Sequence, residues 1–206
     1  MPRIVDHEQR RRDIAAGFRR HVAQHGLAAT TFARVASSAE VSVGQVQHYF
    51  ADRDELLRFA YAEGLARTDA RLRQVIDDGE AGRQPIRTIL DLALRELLPL
   101  DAERSEEMTV ALCLQVIALH EPGLAEVSAA TERERHARVA AAVANGMHCG
   151  EVAADVDPAL AASRILATTH GLAARMTRDP ATRSEVDAVL PPVLATVFTG
   201  RCRHWD

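Results

Sequence analysis

Between residues 30 and 55 the chain reads TTFARVASSAEVSVGQVQHYFADRDE, and the groups there that could do chemistry are amides, hydroxyls, rings and guanidiniums. Gln45 and Gln47 carry paired donors and acceptors of the kind that hold adenine at N6 and N7. Val43 can touch a thymine methyl, and Gly44 lets the backbone approach a duplex closely. Thr31, Tyr49 and Arg53 suit phosphate oxygens, as do the N–H groups at helix N-termini. Arg34 and Ser42 complete the candidate DNA-contacting set. His48 either shares the outward face of this segment or packs beside the first helix. Residue types in this pattern point to reading a groove of DNA.

Two short helices joined by a tight turn would position those groups. Phe32, Val35, Ala36 and Ala39 fall at helical spacing, Val41 follows the turn, and Val46 and Phe50 repeat at i, i+4. Thr30 or Thr31 can cap the first helix. Ser42 with Gln45 forms an S-x-x-Q capping box, and Asp52 with Glu55 repeats the device, so a third helix leaves at once. The apolar seam predicts a helix-turn-helix with Val43, Gly44, Gln45, Gln47 and His48 outward and Tyr49 at the flank.

The stretch GLAATTFARVASSAEVSVGQVQHYFADRDELL resembles the DNA-binding segment of the TetR family of bacterial transcriptional regulators. It is closest to the subgroup whose recognition helix reads VSVGxVQHYF, typified by the choline-responsive regulator of betaine synthesis. One residue departs from the pattern. Glu40 stands where the family usually has Gly, so either the turn avoids positive φ or the site stores strain.

No other function class has a comparable signal. There is no G-x-S-x-G, H-E-x-x-H, E-x-x-H pair or phosphate-cradling Gly loop, so an enzyme is not expected. Cys113, Cys149 and Cys202 are odd in number and lack C-x-x-C spacing, which argues against a disulfide framework. His148 beside Cys149 makes no metal pair, because adjacent helical positions point in different directions. No metal and no cofactor are expected. No signal peptide or apolar span is evident, and a cytoplasmic location without membrane contact follows as an expectation.

All 25 basic residues are Arg, and the net charge of −4 is unevenly divided: +2 over residues 1–60 and −6 over 61–206. The positive part coincides with the motif. Arg10, Arg11, Arg12, Arg19 and Arg20 are expected on the first helix near a DNA backbone, a solvated face being the other reading of each. Arg3 and the residues before Asp6 read as an arm able to reach a neighbouring groove.

Beyond residue 60 the pattern is helical throughout. The expected fold is all-α, with helices near 6–25, 31–39, 43–50, 53–78, 85–98, 105–120, 122–149, 157–178 and 184–199. Residues 1–52 would form the DNA-binding domain, and 53–206 the ligand-binding and dimerisation domain. Nine helices in this order resemble the TetR architecture. The segment DVDPALAASRILATTHGLAARMTRDP resembles the C-terminal domain of the same subgroup.

That resemblance implies a regulator, a repressor on a palindromic operator, acting as a homodimer and released by a small-molecule effector that tilts the fourth helix. In the family the last two long helices pair across a two-fold axis. Ala162, Leu166, Thr169, Leu190, Leu194 and Val197 are the seam candidates, although such a stripe serves equally as subunit core. Met108, Cys113, Gln115, His120, Met147, Thr168 and His170 are the pocket candidates, with packing as the alternative role of each. Six of the eight aromatic residues precede residue 62, leaving Phe198 and Trp205, so no aromatic cage for a quaternary ammonium ligand is evident. A transcriptional activator and a helical dimer controlled by a protein partner remain as alternatives.

Overall fold

A computed structural model describes residues 7–203, so the expected arm with Arg3, and Trp205, lie outside the described residues. Among the described residues there are nine α-helices and no strand. They are α1 (His7–His25), α2 (Phe32–Ser38), α3 (Val43–Tyr49), α4 (Arg53–Ala81), α5 (Ile86–Arg95), α6 (Ala102–Ala118), α7 (Pro122–Cys149), α8 (Pro158–Arg178) and α9 (Val186–Ala195). Short 3-10 turns at Leu27–Ala29 and Pro180–Glu185 link α1 to α2 and α8 to α9.

Side-chain caps start most of these helices, which is why their beginnings are legible. Thr31 accepts from Arg34 N, Asp52 from Glu55 N, Asp101 from Arg104 N, and Asp157 from Ala159 N and Leu160 N. The Asp101 cap places the start of α6 three residues before the expected 105. The Asp78-Gly79 pair, read as a break, lies inside α4: a Cβ on Gly79 would meet Ile89 Cγ1 at 2.5 Å, so this glycine admits α5 rather than ending the helix. The last helix is shorter than the expected 184–199 and continues through Pro191 and Pro192.

Burial organises two apolar clusters. The first joins Ile14, Phe18 and Val22 of α1 to Val35, Val46, Phe50, Leu56 and Leu57, and takes Val110 and Leu114 from α6. The second gathers Leu90, Leu94, Val143, Ile165, Leu166, Met176, Leu190, Leu194 and Phe198 from α5, α7, α8, α9 and the following segment. Hydrophobic packing thus crosses the boundary expected at residue 52, because both α4 and α6 contribute to the first cluster. No described helix is long and apolar enough to cross a membrane.

Candidate nucleic-acid interface and effector cavity

Helix α3 is held by one face only. Val46 is fully buried and Phe50, its C-cap, nearly so, while Val43 is 39% exposed and Gly44, Gln45, Gln47 and His48 face solvent. The capping box is complete: Ser42 N–H donates to Gln45 Oε1 at 3.0 Å and Gln45 N–H to Ser42 Oγ at 3.2 Å. The Gln45 carbonyl oxygen is therefore committed to the cap, and its amide N–H groups are what it can offer a base. The Gln47 side chain makes no hydrogen bond among the described residues, so its whole amide faces outward uncommitted.

Tyr49 is half-buried and ringed by imidazoles, with centroids 5.0 Å from His48 and 5.7 Å from His7. His7, at the start of α1, closes a shallow groove with Arg10, Gly44 and His48. Sequence spacing could not have found His7, because it meets α3 only through the fold. Thr31 is exposed while capping α2. Arg34 and Arg53 are exposed and lean on one loop, donating to Ala29 O at 3.3 Å and Leu27 O at 3.5 Å.

The basic cluster expected on α1 divides by role. Arg11 lies over the Phe50 and Phe59 rings, 4.9 and 4.5 Å from their centroids, and pairs with Glu55 at 3.0 Å. Glu55 also accepts from Ala51 N at 2.8 Å, so it ties α4 to α1 instead of closing a box with Asp52. Arg12 leans toward Glu63, and Arg20 donates to Ser38 O at 2.6 Å. Arg19 is buried, with Nε and Nη1 lacking hydrogen-bond partners among the described residues. Burial, with Arg67 nearby, lowers its pKa to about 10. Of the five, Arg10 alone lines the groove beside α3.

The turn into α3 resolves the question raised by Glu40. Its φ is 55°, the left-handed region. Val41 N–H donates to Ala36 O at 2.9 Å and Glu40 N–H to Ser37 O at 3.3 Å, the paired bonds of a Schellman ending to α2. The turn adopts positive φ, and the site is strained.

A cavity of about 730 Å³ opens between α4, α6, α7 and α8. Tyr61, Gly64, Leu65 and Thr68 of α4 form one wall, and Met108, Ala111, Leu112 and Gln115 of α6 another. Three expected pocket residues, Met108, Gln115 and His170, line it. Four do not. Cys113 turns to the first apolar cluster, and Met147 packs on the second. His120 is exposed beyond the end of α6, and Thr168 donates to Arg164 O at 3.0 Å along its own helix. Helical spacing gave each a face but not the neighbour that face meets.

The cavity floor is an ionic lattice the sequence reading missed. Glu107 accepts from Arg67 and Arg71, each at 2.8 Å; Glu96 accepts from Arg71 and Arg104, each at 3.0 Å. Arg67 and Arg71 repeat at i, i+4 on α4, as Glu103 and Glu107 do on α6, a matching periodicity that could have signalled it. Higher on the wall, His170 Nε2 lies 3.7 Å from Glu132, and burial raises the Tyr61 pKa, so its hydroxyl keeps its proton. Tyr61 is the sole Phe, Tyr or Trp of the lining.

The seam candidates are corrected outright. Ala162, Leu166, Thr169, Leu190, Leu194 and Val197 are all buried within this one subunit. They form its core and have no surface left for a partner. The outward face of α8 instead carries Leu160, 61% exposed, with Arg164, Ala167 and Gly171 at helical spacing beyond it.

Comparison with known proteins agrees with this geometry. The family model for the C-terminal part of BetI-type transcriptional repressors matches residues 85–198, more than half of the chain, and that for bacterial regulatory proteins of the tetR family matches residues 14–59. The HTH-type transcriptional regulator PksA of Bacillus subtilis (strain 168) is 29% identical over 128 residues, 62% of this chain. The HTH-type transcriptional regulator BetI 1 of Chromohalobacter salexigens is 36% identical over 92 residues, 44% of this chain. The chain spans 60% and 46% of the lengths of these two relatives. A crystal structure of a transcriptional regulator from Rhodococcus sp. Rha1, 29% identical, superposes with a TM-score of 0.76 over 92% of this chain and 96% of its own.

Proposed function

Because this chain belongs to the TetR family of bacterial regulatory proteins and carries a BetI-type repressor C-terminal domain, we propose that it is a sequence-specific transcriptional repressor. It binds a palindromic operator as a homodimer and is released by a small molecule held in the cavity. The observation that carries this reading is α3, anchored through Val46 and Phe50 while Val43, Gly44, Gln45, Gln47 and His48 face solvent. The VSVGQVQHYF stretch supports the subgroup with that recognition helix.

In this reading Gln47 and Val43 read base edges, and the Gln45 amide adds a donor. Tyr49, Thr31, Arg34, Ser42 and Arg53 set the register on phosphates. Two such helices at fixed spacing read two half-sites. The subunit pairing would use the outward face of α8, where Ala167 and Gly171 permit close approach, together with the exposed side of α9.

Release works by population shift: an effector acts only through its preference for the non-binding arrangement. Two helices are placed to carry that preference. Helix α4 lines the cavity with Tyr61 and Thr68 and enters the DNA-binding core with Leu56 and Leu57; α6 does the same with Met108 and Gln115 against Val110 and Leu114. The lining favours a small or medium effector with an apolar body and few polar handles. With Tyr61 the sole Phe, Tyr or Trp of the lining, a quaternary ammonium cage is not supported.

The test is selection and sequencing of genomic fragments bound by the purified protein at near-physiological salt, with a Gln47→Ala, Tyr49→Phe double variant as control. Enrichment of one inverted repeat, weakened about tenfold or more in the variant, is expected from the loss of one base-edge and one phosphate contact. No enrichment above the variant would sink the reading.

A further inference from the structure

The three cysteines are scattered in sequence, but two of them converge. After α9 the chain turns back along the end of α7: Gly200 N–H donates to Glu151 O at 2.9 Å and Arg203 N–H to Cys149 O at 2.7 Å. This places the Cys202 thiol beside Cys149 and Glu151, with a ligand atom of each of the three residues within 4.8 Å of the others. Cys149 and Glu151 are buried, and Cys202 is partly so.

We propose that Cys149, Cys202 and Glu151 form a structural binding site for a divalent zinc-type cation, one that staples the C-terminal segment to the junction of α7 and α8. The site stands apart from both the DNA-reading face and the cavity, so it does not depend on the function proposed above.

The donor set carries the argument. Two thiolates and a carboxylate suit a tetrahedral zinc-type ion, with water in the fourth position. Metal–sulfur and metal–oxygen bonds of about 2.3 and 2.1 Å at a tetrahedral angle separate S and O by about 3.5 Å. Cys149 Sγ and Glu151 Oε1 are 3.5 Å apart. Two sulfurs on the same ion would lie about 3.8 Å apart, so from separations within 4.8 Å a shift of the partly exposed Cys202 of at most about 1.3 Å closes the set.

The carboxylate is already oriented. Glu151 accepts from Ile86 N at 2.8 Å and Arg87 N at 3.0 Å, the opening amides of α5, and each oxygen keeps a lone pair for a ligand bond. Fixing of this kind by N–H donors is what the outer shell of a metal site requires. Two thiolates and one carboxylate around a dication leave one negative charge, and the Arg203 side chain packs over Gly150, the residue between Cys149 and Glu151.

Oxidation to a disulfide is the competing use of paired thiols, but it leaves without a role the carboxylate that Ile86 N and Arg87 N hold beside them. The single Cys149 thiol proton has Gly146 O at 3.4 Å and Glu151 Oε1 at 3.5 Å as its acceptors. A dication displaces both thiol protons to bind.

The experiment uses the full chain, purified under reductant, stripped with a chelator and titrated with cobalt(II) as the probe. One equivalent per chain should give thiolate-to-cobalt charge transfer and the visible bands of a tetrahedral ion. Zinc should displace it and raise the melting temperature. Cys202→Ser, at a partly exposed position, should retain the far-UV spectrum of the parent and lose the charge-transfer band, while Cys113→Ser keeps it. Three results would each overturn the proposal: no charge transfer, a band that survives Cys202→Ser, or thiol counting that finds Cys149 and Cys202 joined in a disulfide after chelation.

Discussion

The helix-turn-helix end and the cavity end of this protein share α4 and α6 but are built by different rules. At the helix-turn-helix end the exposed faces of α2 and α3 are set by neighbours within a few residues: Ser42 and Gln45 cap each other, Val46 and Phe50 anchor α3, and Thr31 caps α2. At the cavity end the groups that meet come from far apart. Arg67 and Arg71 reach Glu107 from 40 and 36 residues away, and Arg71 reaches Glu96 from 25. A local motif gives a surface that can be read; a distant meeting gives a volume whose contents can change while the local elements persist.

The comparison breaks if the two ends are energetically separate, and α6 tests that most strongly. Leu114 is fully buried, yet it lies in the cluster of α1, α2 and α3 and not with the C-terminal core. Leu114→Ala should cost roughly 3 kcal/mol of unfolding free energy, and the loss should appear as faster hydrogen exchange of α1 amides. Denaturation and exchange on the same sample decide it. Unchanged protection in α1 would show that the reading end stands without the bundle, and α4 alone would then remain as the link.

A matched pair of glycines sharpens the contrast. Gly17 faces the turn between α2 and α3, where a Cβ would lie 2.6 Å from Ala39 Cβ and 2.7 Å from its Cα. Gly171 on α8 has nothing within 4 Å. In an open helix Gly→Ala gains about 1 kcal/mol, whereas a clash with backbone costs about 1–3 kcal/mol. Gly17→Ala should therefore lose up to about 2 kcal/mol and weaken operator binding, and Gly171→Ala should gain up to about 1 kcal/mol in the isolated subunit. Thermal unfolding at several protein concentrations checks both. A concentration-dependent loss for Gly171→Ala would instead mark a second copy packed against that face.

The same division explains what the sequence disclosed. The start of α3 at Val43 and its buried pair Val46 and Phe50 were legible, because a cap and an i, i+4 repeat are local facts. For Arg11 the sequence offers a nearby DNA backbone or a solvated face; its contacts with Phe50, Phe59 and Glu55 lie across the fold, where no local pattern points. Leu166 and Leu194 were offered as seam because an apolar stripe looks alike whether it covers its own core or a partner. Cys113 missed the cavity by one helical position: Leu112 lines it, and the next residue points about 100° away. Cys149 and Cys202 met only because the segment after α9 returns to α7.

The smallest effect concerns a device that both ends share. Helix α2 ends with Glu40 at φ 55°, and α4 ends with Arg83 at φ 51°, where Arg83 N–H donates to Glu80 O at 3.0 Å and Gln84 N–H to Gly79 O at 2.9 Å. Both are Schellman endings with a side-chain-bearing residue where glycine is favoured. A left-handed L residue costs roughly 1–2 kcal/mol, and glycine returns part of that through the greater freedom of the unfolded chain. Glu40→Gly and Arg83→Gly should each gain about 0.5–1 kcal/mol. Their effects on DNA should part company, because only residue 40 sits in the turn that sets α3 and carries negative charge two residues before its cap. Operator affinity at low salt should rise for Glu40→Gly and stay level for Arg83→Gly, and Glu40→Ala should gain affinity without the gain in stability. A Glu40→Gly protein that unfolds more readily than its parent would mean that the turn holds no recoverable strain.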